Sequence, residues 1–402
     1  MIFPIFHIPS KFEAETSVSA STLLYENYGV EKMINTNNSL GLYIHIPFCD
    51  GKCNYCDFYS FKADELTKDD YVNVLIDKIK SWSTELKDKC IDTIYFGGGT
   101  PSVLGTDRLC RTLEITLNSF KIASECEITL EANPTSANEL NFTELKSAGF
   151  NRISLGMQSS VDSELMLLGR RHSKPDVIDT VNRIRQSGIN NISLDVMMGI
   201  PEQTKESLRE TLDFCISLDV PHISTYLLTV EPNTFFGKNF CNYNFADDDM
   251  QAELYQLTSQ HLKQNGYSHY EISNFCKNNL HSRHNMRYWQ LKDYLGLGPS
   301  AHSLINGKRF YYPRSMDDFI NDKIIEDGVG GTEEEYIMLM LRTRQGIIFE
   351  EFTNLFGKTL DKRILDKVKL YEKHGYIKTD DNSISLTEKG FLLSNTIIAE
   401  LI

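Results

Sequence analysis

Apolar, β-branched runs recur along the chain at residues 42–48, 91–97, 127–132, 152–157, 191–198 and 222–230. Between them, apolar positions fall at helical spacing near 67–88, 106–119, 138–147, 174–187 and 204–218. Strands alternating with helices of this length predict βαβ units around a parallel sheet. Six such units predict an α/β fold of the partial (β/α)6 barrel type, with an open doubly wound sheet as the alternative. Beyond residue 330 the pattern changes. Glu333–Arg344 and Leu360–His374 read as amphipathic helices, and GYIKTDDNSISLTEKGFLLSNTII reads as a small β-wing with a closing helix. The chain is therefore expected to divide into an N-terminal extension (1–40), a barrel core (41–265), a region packing on the barrel (266–330) and a small, mainly helical, winged-helix-like C-terminal domain (331–402).

The extension reads unlike the rest. Met1 to Pro9 is briefly apolar but lacks the basic start and the length of a signal peptide. Glu13 and Glu15 count against a transit peptide, and Asn35 to Ser39 is polar and linker-like. Met33 stands just before the first strand, so residues 1–32 are expected to be dispensable for folding, poorly ordered or an upstream extension of the reading frame.

Composition narrows the class further. The 402 residues carry 41 Lys and Arg against 55 Asp and Glu, a net charge of −14 that argues against a general nucleic-acid surface. The winged-helix-like tail is accordingly expected to cover the barrel or dock a partner rather than bind DNA. No apolar run approaches the roughly 18 residues of a membrane span. Nine cysteines, an odd number in a chain of this size, do not form a secreted disulfide framework. A reducing, cytoplasmic setting is expected, with Cys90, Cys110, Cys126, Cys215, Cys241 and Cys276 as small buried hydrophobes.

The remaining three cysteines are different. Cys49, Cys53 and Cys56 follow the first strand in the spacing CxxxCxxC. Thiolates gathered on one loop suit a soft metal or an iron–sulfur cluster. Zinc sites usually recruit four ligands in two separated pairs, so three thiolates without a fourth suggest a four-iron cluster with one iron open. Barrel chemistry sits at the C-terminal ends of strands, and polar residues recur there. The second strand ends at Gly97, Gly98, Gly99, Thr100 and Pro101, the third at Glu131 and the fourth at Gln158, and the fifth carries Asp195. The glycine turn allows close backbone approach and offers N–H donors to a ligand. Glu131 and Asp195 in apolar strands are costly unless paired or ligand-bound.

CxxxCxxC with an aromatic before its third cysteine resembles the radical S-adenosylmethionine (SAM) superfamily. The longer string LYIHIPFC resembles the branch of oxygen-independent coproporphyrinogen III oxidases and their heme-chaperone relatives. The likeness covers roughly residues 41–315 through TIYFGGGTPS, LEANP, RISLGMQS, LGRRH and LDVMMGIP. It implies a 4Fe–4S cluster on Cys49, Cys53 and Cys56, with SAM on the open iron, and a radical SAM barrel as the core. It further implies SAM contacts from Tyr43, Tyr55, Gly98, Gly99, Thr100, Glu131, Gln158, Arg170 and Asp195. A reductant such as flavodoxin or ferredoxin would supply the electron.

A second concentration of unusual residues lies between 269 and 303, where His281, His284, Tyr288, Trp289, His302, Gly296 and Gly298 crowd together. Aromatic walls with imidazoles suit a large flat ligand, and imidazole is a common axial ligand of haem iron. HNMRYW (284–289) resembles the HNxxYW signature of HemW-type heme chaperones, which implies heme contacts at His284, Asn285, Tyr288 and Trp289 and a porphyrin-associated role for 266–330. The decarboxylating relatives carry a further cysteine two residues after the third, where this chain has Phe58, and a PRYTSYP-like segment upstream that residues 1–40 lack. A radical SAM heme chaperone, passing heme to an acceptor protein, is therefore expected over a coproporphyrinogen III dehydrogenase, and no catalytic residue is assigned. A purely structural iron–sulfur protein would leave the glycine turn and strand-end carboxylates unexplained.

Overall fold

The computed structural model describes residues 17–18 and 38–402. The expectation for residues 1–32 lies outside the described residues, apart from a two-residue strand. In chain order the strands of the large sheet are β1 (Ser17–Val18), β2 (Ser39–Ile46), β3 (Cys90–Gly98), β4 (Lys121–Ala132), β5 (Arg152–Gln158), β6 (Asn191–Met198), β7 (His222–Leu227), β8 (Ser268–Glu271), β9 (Asn274–Cys276), β10 (Tyr294–Leu297), β11 (His302–Ile305), β12 (Lys308–Tyr311) and β13 (Ile324–Val329). Strands β2 to β7 are parallel and adjacent in sequence order. The sheet stays open: β1 and β8 are its two ends. This is the partial (β/α)6 barrel.

The helices after successive strands cover one face. They include α1 (Glu65–Glu85), α2 (Thr106–Ser119), α3 (Phe142–Ala148), α4 (Lys174–Gln186) and α5 (Lys205–Ser217). Asp64 caps α1 by accepting from the Thr67 N–H, and Tyr71, Val72, Leu75, Ile76, Ile79 and Trp82 form its buried stripe. Against these helices the strands present Ile44, Ile46, Ile94, Phe96, Ile128, Leu130, Ile153, Leu155, Ile192, Leu194 and Ile223, all in one core. Full burial of each aliphatic side chain contributes about 1.5–3 kcal/mol. The alternate positions point the other way and are polar: Thr93, Glu127, Thr129, Arg152, Ser154, Ser193, Asp195, His222 and Ser224 are all buried. The runs thus alternate with period two, and the concave interior of the barrel is a hydrogen-bonded polar lining.

Residues 266–330 do more than pack on the barrel. β10 pairs parallel with β2 and carries β11–β13 in antiparallel order, while β9 and β8 extend the other edge beyond β7. The stretch therefore widens the barrel's own sheet on both sides. It also contributes a short helix, α6 (Arg283–Trp289).

The C-terminal part is the expected winged-helix-like arrangement. Helices Glu333–Met340, Phe349–Phe356 and Lys362–Lys373 surround a sheet of β14 (Ile347–Ile348), β16 (Ser383–Leu386) and β15 (Ile377–Thr379), and Ser394–Leu401 closes it. It joins the barrel through backbone bonds from Ile272 N–H to Arg342 O (2.9 Å) and from Arg344 N–H to Tyr270 O (3.0 Å). No described helix is long and apolar enough to cross a membrane. All nine cysteines are free. Cys126, Cys215 and Cys276 are buried as expected and Cys90 and Cys110 partly so, but Cys241 is exposed, on the surface turn Phe240–Asn242.

Candidate functional site

The loop after β2 is held by backbone bonds to separate parts of the chain. Cys49 N–H donates to Phe61 O (3.0 Å), Asn54 N–H to Leu168 O (3.1 Å), and Phe236 N–H to Asn54 O (2.9 Å). These ties give three half-buried thiols a defined scaffold. Burial pushes the Cys49 thiol up and the Cys56 thiol up to about 11, so the thiolate forms call for a bound cation. Among the described residues no three His, Cys, Asp or Glu side chains are grouped to hold one metal ion. A cluster is less demanding, because each thiolate binds a different iron.

The glycine turn has a different role from the one expected. Gly99 and Thr100 donate their N–H groups to Ile46 O and Phe48 O, both at 2.8 Å, so those donors fasten the cysteine loop and do not face a ligand. A Cβ on Gly99 would sit 2.6 Å from Phe48 O, and one on Gly98 (φ +108°) 2.6 Å from the His45 ring. Glycine is required here by close approach of protein to protein. Thr100 Oγ1 lies 3.2 Å from Cys49 Sγ and accepts from the Asn133 amide at 3.1 Å.

Each strand-end residue has its own buried or half-buried surroundings. Arg170 Nη1 lies 3.6 Å from Cys53 Sγ, and its Nη2 donates to Asn133 Oδ1 at 2.8 Å and to Gly156 O. Gln158 is buried, adopts φ +70° and leaves its Oε1 without a partner. A left-handed, unsatisfied glutamine at a strand end is strained in two ways, which is how ligand sites are often marked. Asp195 accepts from Ser154 Oγ at 3.2 Å, and burial raises its pKa to about 6. Glu131 accepts from the Tyr95 hydroxyl at 2.7 Å. Tyr43 is buried and pairs with His45 Nδ1 at 3.1 Å, while Tyr55 packs beside Leu168, Met197 and Phe236. Asn133 and Tyr95 were not anticipated. Asn133 directly follows β4, a position that the strand-end rule could have flagged.

The residues expected to meet heme are placed otherwise. His284 is fully buried, with Nδ1 2.8 Å from Thr93 Oγ1 and Nε2 2.8 Å from the Tyr288 hydroxyl. Both nitrogens are engaged, so this geometry offers no imidazole to an iron. Burial also holds its pKa well below the usual histidine range. Tyr288 is buried against Tyr294, and Trp289 packs partly buried on the core. Asn285 keeps a buried Oδ1 without a partner. His281 stacks on Tyr270 and His302 on Tyr311, so the three histidines face different aromatic neighbours.

Residues 43–215 match the radical SAM superfamily and residues 334–393 the HemN C-terminal domain. The heme chaperone HemW of Bacillus subtilis is 33% identical over 368 residues, covering 88% of this chain and 97% of that protein. HemW of Escherichia coli is 32% identical over 372 residues, covering 89% and 97%. The coproporphyrinogen III oxidase HemN of Escherichia coli, described as a radical SAM enzyme, superposes with a TM-score of 0.78 at 21% identity, covering 91% of this chain and 90% of that one. The last likeness shows the shared fold.

Fold and site together define a radical SAM protein of the coproporphyrinogen oxidase-like branch. That class carries a 4Fe–4S cluster and SAM, and the residues present suit both: three free thiols on one loop, an arginine fork beside Cys53, and an unsatisfied Gln158 Oε1 at the strand end. Within the branch, the chain belongs to the HemW family.

Proposed function

We propose that this protein is a heme chaperone: it binds heme and passes it to an acceptor protein in the cytoplasm. The observation that carries this reading is the likeness to heme chaperones across 97% of their length, supported by Phe58 where the decarboxylases keep a further cysteine. Cys49, Cys53 and Cys56 would hold the cluster. SAM held at such a cluster would supply one-electron radical chemistry, with flavodoxin or ferredoxin as the kind of reductant required. Arg170 orients the SAM carboxylate with its planar fork. Glu131 and Asp195 accept from the ammonium and ribose hydroxyls, and Gln158 directs its free oxygen to the same ligand. Tyr43, Tyr55, Gly98, Gly99 and Thr100 shape the walls, the glycines by letting the cysteine loop approach. Of the residues expected to meet heme, Asn285 and Trp289 stay in this reading.

A second reading, coproporphyrinogen III dehydrogenase, is favoured by one observation. Arg152 is buried in the barrel lining with Nε and Nη1 unpaired, which suits a substrate that carries carboxylates. Heme titration of the reconstituted protein, run beside a decarboxylation assay, separates the two readings.

A further inference from the structure

Helix α6, which carries HNMRYW, is anchored to the polar lining of the barrel at three points. Glu127 on β4 caps its N-terminus, accepting from the Arg283 N–H at 3.1 Å and the His284 N–H at 3.0 Å. Arg287 pairs with Asp92 and donates to Ser39 O at 3.0 Å and Asp293 O at 2.8 Å. The third anchor is His284, bonded to Thr93 on β3. A Cβ at Gly41 would fall 2.6 Å from Arg287 Cδ, so β2 has a glycine where the arginine crosses it.

What His284 then touches leads toward the cysteine loop. Its ring stacks on Tyr95 with centroids 5.1 Å apart and planes 27° apart. Tyr95 delivers its hydroxyl to Glu131 at 2.7 Å. Tyr43 lies 6.4 Å from His284 and 6.2 Å from Tyr95 between ring centroids, and bonds His45. His45 in turn reaches Tyr59 O at 3.0 Å, at the far end of the cysteine loop. One set of contacting rings, stacked between His284 and Tyr95 and tilted or edge-on at Tyr43, thus connects the HNMRYW helix to a strand-end carboxylate and to the loop.

We infer that His284 is a positioning residue for Glu131, acting through Tyr95, and that the histidine of HNMRYW serves the SAM end of the barrel rather than ligating heme iron. A ring locked by two hydrogen bonds fixes the plane of Tyr95, and that plane aims the hydroxyl that orients the carboxylate. The inference rests on the proposed reading in which Glu131 faces SAM.

The test uses the full-length, anaerobically reconstituted protein. SAM affinity is read by calorimetry and heme affinity by the Soret band. His284→Ala is expected to weaken SAM binding about tenfold and to leave heme affinity within twofold of wild type. Tyr95→Phe, which removes one hydroxyl and no packing, is expected to match that loss. The double variant should be no weaker than either single variant, because both act through one contact. His284→Gln, able to bond Thr93 and Tyr288, should recover most of the SAM affinity. Heme binding lost in His284→Ala with SAM binding intact overturns the inference, and so do SAM losses that add in the double variant. Unchanged SAM affinity in Glu131→Gln would instead sink the reading of the site beneath it. Weakened binding in Glu131→Gln with none in Tyr95→Phe would sink the inference alone. If His284→Ala loses its iron and sulfide, Tyr95→Phe alone decides.

Discussion

The Arg170 guanidinium reaches to 3.6 Å from the sulfur of Cys53, bringing the arginine of the LGRRH motif to the cysteine loop. The same side chain bonds Asn133 Oδ1 and Gly156 O, so its plane is fixed before any ligand arrives. A lysine keeps the charge and loses the fork. Arg170→Lys should therefore retain full iron and sulfide content while SAM affinity falls about tenfold, a change of about 1.4 kcal/mol. Calorimetry showing wild-type SAM affinity would remove Arg170 from the site.

Cluster content should depend on the loop cysteines alone. Cys53→Ala is expected to lose the four-iron cluster on anaerobic iron and sulfide analysis. Cys90→Ala and Cys276→Ala should keep it, because Cys90 opens β3 and Cys276 pairs with His222 at the start of β7, at the end of the parallel strands opposite the cysteine loop. Equal loss in all three variants would show that the ligand set is wrong.

Gly98 has φ +108°, and an added Cβ would meet the His45 ring. Gly98→Ala should cost about 1–3 kcal/mol in denaturant unfolding through backbone strain alone, and more if His45 has to move. Because His45 also bonds the loop at Tyr59, the variant should take up iron more slowly. Unchanged stability would mean the turn relaxes freely.

Glu271 lies fully buried where the barrel edge meets the C-terminal part, and burial raises its pKa from 4.5 to about 7 despite bonds from Ser273 N–H and the Asn274 amide. The folded state therefore binds this proton more tightly than the unfolded chain, and stability falls as pH rises from about 4.5 to about 7, then levels. The full effect is roughly 3 kcal/mol, since one pKa unit is about 1.4 kcal/mol. Relative to wild type, Glu271→Gln should gain stability between pH 5 and pH 8 in urea unfolding. A difference that does not vary with pH would show that Glu271 does not titrate in this window.

Much of this was legible in the chain. The six parallel strands and the helices between them follow from apolar periodicity, and the cysteine loop and strand-end residues from the rule that places barrel chemistry at strand C-termini. The rest escaped for physical reasons. β4 begins at Lys121, six residues before its apolar run, because its first half is largely exposed and carries no hydrophobic signal. TIY, EITLE, RISLG and HIST look apolar in bulk, yet every second residue is polar; the lining with Arg152, Glu127 and His222 was present as a period-two pattern. The glycine turn suggested a ligand cradle because backbone N–H groups do not announce their acceptors, and Ile46 and Phe48 are distant in sequence. His284 looked like an iron ligand because Thr93, which occupies its Nδ1, is distant in sequence, and Tyr288, one helical turn on, read as a wall of the same ligand site.

The central claim is that this chain carries heme and does not decarboxylate coproporphyrinogen III. Reconstituted protein should be titrated with heme while the Soret band is followed, and the same preparation incubated with coproporphyrinogen III, SAM and a reductant while harderoporphyrinogen and protoporphyrinogen are measured. Saturable heme binding near one per chain and no vinyl product above background are expected. Vinyl product at catalytic turnover from a preparation that does not bind heme would contradict it.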